Sequence, residues 1–213
     1  MTTPMETGPT DIRFLALGDS YTIGTAVDEN KCWPVLLATE LGSTTGGGPA
    51  YQLEVDITAT KGWTTRDLLN GIDDRNDLNN NFDLVSLLIG VNNQYDGLSL
   101  PDYRIEFRQL LTTAIQLANK DSSRVFVIAI PDYAFTPSGG SSQQISDAID
   151  EFNTAAQAIA TELNVPFLNI TPISRQATAD PELVATDKLH PSGKQYARWV
   201  DEVIAPAVRR YLA

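Results

Sequence analysis

Residues 82–90 read Phe82-Asp83-Leu84-Val85-Ser86-Leu87-Leu88-Ile89-Gly90. Phe82–Ile89 is strongly apolar over eight residues, the pattern of a strand covered on both faces, and Gly90 ends it. Strands buried on both faces belong to sheets with helices above and below, so the flanking sequence should alternate strand and helix. Toward the N-terminus it does. Ile12–Leu17 is a short apolar run that ends in Gly18-Asp19-Ser20, a strand feeding a turn. Trp33–Leu41 predicts a helix closed by Gly42 and a Ser/Thr/Gly-rich loop. Tyr51–Thr58 predicts a strand with Leu53, Val55 and Ile57 along one face, and Thr64 or Thr65 can cap a helix running through Gly71.

Toward the C-terminus the rhythm continues with longer helices. Tyr103, Phe107, Leu110, Ala114 and Leu117 mark one face of a helix from about Pro101 to Asn119. Val125–Ile130 predicts a buried strand stopped by Pro131. Ile145, Ile149, Phe152, Ala156, Ile159 and Leu163 mark a second amphipathic helix, and Val165–Ile170 a fifth strand. Gln195 to Leu212 predicts a closing helix, which Pro206 should bend. Five strands alternating with helices imply an α/β fold, a parallel sheet with helices on both faces joined by right-handed crossovers. The longest stretch without a predicted element, Thr171 to Pro191, holds the only histidine.

Composition narrows the chemistry. The 213 residues carry 15 Lys+Arg against 27 Asp+Glu, a net charge of −12, with most of the excess before residue 107. Such a surface repels phosphate backbones and anionic headgroups, so nucleic acid is excluded as an expected partner. No apolar run is long enough to span a membrane. Met1–Thr10 has neither a basic n-region nor an apolar h-region, and the expectation is a cytoplasmic protein. One cysteine (Cys32) and one histidine (His190) exclude an internal disulfide and a Cys/His zinc site.

In doubly wound sheets ligands bind beyond the carboxyl ends of the strands. Those ends carry Gly18-Asp19-Ser20-Tyr21, Thr60-Lys61-Gly62-Trp63, Gly90-Val91-Asn92-Asn93, Pro131-Asp132-Tyr133 and, after the fifth strand, Asp187-Lys188-Leu189-His190-Pro191. Each block alone is ordinary turn chemistry. Together they bring a serine, a glycine, a carboxamide, an acid and an imidazole to one rim. That is an inventory for acyl transfer: nucleophile, oxyanion donors, base and base-orienter.

These blocks resemble those of the SGNH hydrolases, also called GDSL-type esterases and lipases, in order, spacing and placement. The resemblance covers Asp11 to Ala213, and its specificity comes from pairing Gly-Asp-Ser with Asp187-x-x-His190-Pro191. It implies a flavodoxin-like three-layer α/β/α sandwich with strand order 2-1-3-4-5, built as one domain over 11–213 behind a polar tail, 1–10. It implies Ser20 as nucleophile, His190 as base and Asp187 as its orienter. The oxyanion hole would be the backbone N–H groups of Ser20 and Gly62 with the Asn92 side-chain amide. No cofactor or metal is implied. Two positions depart from the family pattern: Asn93 stands where an acid is usual, and Tyr21 where leucine is common.

A serine hydroxyl attacks at neutral pH only if a base takes its proton, which suits imidazole. Developing negative charge on the carbonyl oxygen needs fixed donors. The expected activity is therefore hydrolysis of small-molecule acyl esters, short-chain or acetyl, through a covalent acyl-enzyme. The alternatives are a thioesterase or lysophospholipase on the same machinery, and a non-catalytic ligand-binding module that keeps the fold.

Other patterns are weaker. Asp77-x-Asn79-x-Asn81-x-Asp83 alternates oxygen ligands like a calcium loop, but Phe82 replaces the turn glycine and Leu88 the bidentate glutamate. Gly46-Gly47-Gly48 lacks the Lys-Ser/Thr of a phosphate loop. Cys32 reads as a packed thiol, and Asn169-Ile170-Thr171 as a sequon by letters only. Trp63, Tyr95, Tyr133 and Phe135 flank the rim, with core packing and pocket lining equally open.

Overall fold

The computed structural model describes residues 9–43, 50–79 and 81–212. Most of the N-terminal tail and the Gly46-Gly47-Gly48 run lie outside the described residues. Strand β1 (Thr10–Gly18) leads into a short helix α1 (Ser20–Ile23), then α2 (Trp33–Gly42), β2 (Tyr51–Ala59), α3 (Thr65–Asp73), β3 (Leu84–Leu88) and α4 (Val91–Tyr95). The second half runs α5 (Leu100–Leu117), β4 (Val125–Ile128), α6 (Gln143–Glu162), β5 (Phe167–Leu168), α7 (Thr171–Ser174), α8 (Gly193–Trp199) and α9 (Ala205–Leu212).

All pairings between the described strands are parallel, in the order β2-β1-β3-β4-β5. Central β1 aligns Phe14 with Val55 on one side and Leu84 on the other. Helices α2, α8 and α9 pack together on one face, and α3, α5 and α6 on the other. This is the parallel α/β sheet expected from the alternation, in the flavodoxin-like α/β/α form and strand order that the family resemblance implied. Each face has an aromatic centre. Phe14, Trp33 and Phe126 meet with ring centroids 6.0–6.4 Å apart beneath α2. Tyr103 contacts Phe107 at 5.3 Å and Phe152 at 4.7 Å between α5 and α6. Buried rings of this size account for much of the apolar surface removed from water, which is the main force holding the layers together.

Several boundaries differ from the sequence expectation, each for a local reason. The third strand is shorter than Phe82–Ile89 because Phe82 N–H bonds to the Leu117 carbonyl rather than to a neighbouring strand. The fifth is confined to Phe167–Leu168: Val165 N–H still reaches back to Ala160 at the end of α6, and Ile170 already precedes α7. The closing helix is not a single bent rod. Pro206 has no N–H, and the turn before it widens to a π-helix over Val200–Ile204, in which Ala205 N–H bonds to Val200, five residues back. The stretch Thr171–Pro191 contains α7 and the 3-10 turns Arg175–Thr178 and Pro181–Leu183.

The would-be calcium run faces arginines. Arg13 donates to the side chains of Asn79 and Asn81, its backbone N–H to Asp83, and Arg75 pairs with Asp77. Among the described residues no cluster of three or more His, Cys, Asp or Glu is arranged to hold a metal, and no helix is long and apolar enough to cross a membrane.

Candidate active site

Every sequence-expected site residue sits at the carboxyl edge of the sheet. Ser20 follows β1 as the first residue of α1 and is 3% exposed. Gly18 lets the chain turn there: a Cβ would lie 2.1 Å from Thr22 Oγ1 and 2.6 Å from the Leu88 carbonyl. Asp19 caps α1 by accepting the Tyr21 N–H at 2.9 Å, and Gly24 ends it in the left-handed region at φ 77°. The N–H of a first helical residue has no intrahelical acceptor, which leaves that of Ser20 for a ligand.

Gly62 follows β2 at φ 86°, a conformation suited to glycine, and its Cβ position faces open space. Asn92 is the second residue of α4 beyond β3. Its Nδ2 donates one hydrogen bond to the Trp63 carbonyl at 2.8 Å, which ties the carboxamide to the Gly62 turn and leaves its second N–H available. Asn93 turns the other way and is 1% exposed. It accepts the Thr65 N–H at 3.0 Å and donates to Thr65 Oγ1 at 2.7 Å, clamping the start of α3 beside Gly62. With Asn93 in the acid's usual place, these two bonds are made by one neutral amide.

The histidine loop is closed on itself. Val184 bridges Pro191, and Ala185 N–H bonds to the His190 carbonyl at 2.8 Å. Lys188 takes a left-handed φ of 66°, which folds Asp187 back over the turn. Asp187 Oδ1 then accepts the N–H groups of Leu189 and His190, both at 3.0 Å, while Oδ2 lies 2.6 Å from His190 Nδ1. Burial pushes the Asp187 carboxyl up, but the imidazole and the two N–H groups together outweigh it and hold the group below the usual carboxylate range. Asp187 is therefore ionised at neutral pH, with the His190 ring buried in front of it.

Ser20, Gly62, Asn92 and His190 line one cleft of about 200 Å³, walled by Tyr21, Val91, Tyr95, Tyr133 and Leu189, with Lys61 contributing as well. Of the four rim aromatics, Tyr95 and Tyr133 line the cleft, their rings 6.2 Å apart. Trp63 instead covers Gly71, and Phe135 lines a separate cavity with Pro181. Sequence reasoning singled out neither Lys61 nor Leu189 as cleft-lining, although both stand inside the rim blocks. Asp19, behind the nucleophile position, is fully buried. Burial raises its carboxyl to about 7 despite the Tyr21 N–H, and its Oδ2 has no hydrogen-bond partner among the described residues.

The arrangement brings a hydroxyl, an imidazole with an ionised carboxylate behind it, the Gly62 turn and the Asn92 carboxamide to one mostly apolar cleft. Residues 16–198 match the GDSL-like Lipase/Acylhydrolase family. Among solved structures the chain is similar to the psychrotrophic esterase EstA from Pseudoalteromonas sp., in a form inhibited by monoethylphosphonate (16% identity, TM-score 0.69, 95% of this chain and 99% of that one). It is also similar to the lipase/acylhydrolase from Enterococcus faecalis (21%, 0.67, 94% and 95%). A third similar structure is Axe2, an acetylxylan esterase from Geobacillus stearothermophilus (20%, 0.68, 98% and 97%). At these identities the likeness is one of fold. No curated protein sequence matched the chain.

Proposed function

The chain belongs to the GDSL-like lipase/acylhydrolase family and is an ester-hydrolysing enzyme, and from that premise we propose that it is a serine esterase acting on short-chain acyl esters through a Ser20-His190-Asp187 triad. The observation that carries this reading is the 2.6 Å contact of Asp187 Oδ2 with His190 Nδ1 beside a cleft shared by His190 and Ser20.

The chemistry follows from those groups. Asp187 holds the proton on Nδ1, so Nε2 is the free base. As Ser20 Oγ attacks the ester carbonyl carbon, its proton passes to Nε2 and the carbonyl oxygen gains a negative charge. That oxygen is held by the N–H groups of Ser20 and Gly62 and the free N–H of Asn92. The intermediate collapses, the C–O bond to the alcohol breaks, and the imidazolium gives its proton to the leaving oxygen. Water then attacks the acyl-enzyme, with His190 again as base, releasing the acid and restoring Ser20.

The size of the cleft supports a small acyl group: about 200 Å³ is below the roughly 300–1,000 Å³ of sites for drug-sized ligands. The test is a kcat/KM series over aryl esters from acetyl to dodecanoyl, with the matching thioesters alongside. A maximum at two to four carbons, ester over thioester, is expected. A rise toward long chains or a thioester preference would replace this reading with a lysophospholipase or thioesterase, and no turnover at all with a non-catalytic module.

A further inference from the structure

We propose that Tyr21 is a positioning residue for His190, its ring steadying the imidazole against Asp187 and stabilising the imidazolium formed during turnover. The inference rests on the triad proposed above. Tyr21 stands where leucine is common in the family, and the structure gives the ring a specific neighbour. Its centroid lies 5.5 Å from that of His190 at an interplanar angle of 60°. That separation lies within the range of attractive aromatic pairs, and the tilt avoids the unfavourable face-to-face stack. The ring centroids lie within the roughly 6 Å reach of a cation–π contact, and in this proposal the phenol ring stabilises the imidazolium once His190 has taken the serine proton. Leucine offers bulk at this place but no quadrupole.

Tyr21 is itself held. It is 3% exposed, and its backbone N–H is fixed by Asp19 at 2.9 Å. Burial and the nearby carboxylates keep its phenol protonated well above the ordinary range, so the ring remains neutral throughout any assay. His190 thus has a carboxylate at Nδ1 and a fixed aromatic ring beside it. The other titratable groups around the pair are Asp19, whose carboxylate accepts the Tyr21 N–H, Asp132, Tyr196, and the cleft-lining Tyr133, Tyr95 and Lys61. Of these, Asp19 titrates near neutrality.

The experiment compares the parent with Tyr21→Phe, Tyr21→Leu and Tyr21→Met. It reads kcat and KM on a short-chain aryl ester and the acid limb of kcat/KM. In the Ser20→Ala background it also reads the titration of the His190 ring NMR signals, unambiguous because the chain has one histidine. Repeating the series with Asp19→Asn removes the titration of that carboxyl. Tyr21→Phe should stay within about two-fold of the parent. Tyr21→Leu and Tyr21→Met should lose about 2- to 30-fold in kcat with KM nearly unchanged. Their acid limb and His190 signals should move together to lower pH, a slower enzyme that tolerates more acid. A loss confined to KM, an unmoved His190 titration in either aliphatic variant, or Phe as damaging as Leu would overturn the proposal. Because the NMR arm needs no turnover, full activity in Ser20→Ala would reject the triad separately, without disturbing the test of the ring contact.

Discussion

Replacing Asn92 by alanine removes its carboxamide from the cleft and should leave the fold almost untouched, so its effect can be worked from contacts. Asn92 Nδ2 carries two N–H bonds, and one is occupied by the Trp63 carbonyl at 2.8 Å. That bond fixes the rotamer, so the second N–H costs no reorganisation when negative charge develops in front of it. Loss of one such prepositioned donor raises the barrier by about 2.7–4 kcal/mol, or about 10²–10³ in kcat. The donor acts on charge absent from the ground-state ester, so KM should change by no more than a few-fold. The Trp63 carbonyl loses one hydrogen-bond partner, and the stability cost should be about 1 kcal/mol. Asn93→Ala is the control. It strips two buried hydrogen bonds from Thr65 and should cost about 1–3 kcal/mol of stability, with a much smaller drop in kcat. Steady-state kinetics on a short-chain aryl ester and thermal unfolding of both variants separate the two roles. A larger kcat loss in Asn93→Ala, or a pure KM effect in Asn92→Ala, would refute the assignment of the donor.

Asp187→Asn keeps the shape of the loop but cannot hold the reactive tautomer of His190, and kcat should fall by about 10⁴ with the circular dichroism spectrum unchanged. Asp19 has its carboxyl raised by burial from 3.8 to about 7, so the folded state binds the extra proton between those values. Stability should therefore decline as pH rises from about 4 to about 7, by roughly 2–4 kcal/mol from this group, and then level off. Asp19→Asn keeps an acceptor for the Tyr21 N–H, and its melting temperature should lack this slope; an identical slope in the variant would place the titration elsewhere. Gly90→Ala combines φ 127° with a Cβ only 2.6 Å from the Tyr103 ring, and thermal unfolding should show a loss of about 2–4 kcal/mol.

The parts of this protein legible in the sequence are those where the signal is local. Phe82–Ile89 reads as a strand because every turn of its pattern lies within eight residues. Asp187 and His190 can be paired by spacing because three residues and one turn join them, and the 2.6 Å contact follows that spacing. Gly18, Gly62 and Gly90 announce the ends of strands because steric room or backbone conformation excludes larger residues there. What escaped depends on long-range contact. Nothing local says that Asn93 clamps Thr65, 28 residues away, while Asn92 beside it faces the cleft. Trp63 and Tyr133 look alike in sequence, but one covers Gly71 and the other lines the site. The shortness of β5 reflects its neighbours in the chain, since Val165 N–H is still held by Ala160 of α6 and Ile170 already caps α7. The burial of Asp19 is likewise invisible in a Gly-Asp-Ser turn, since it depends on what closes over it.

The nucleophile is the centre of the account. Incubation with a serine-directed aryl phosphonate, followed by peptide mass spectrometry and titration of residual activity, tests it most directly. One equivalent of label on Ser20, complete loss of ester hydrolysis in step with labelling, and neither labelling nor turnover in a folded Ser20→Ala variant are the expected results. Label on any other residue, or hydrolysis by Ser20→Ala at the parent rate, would contradict it.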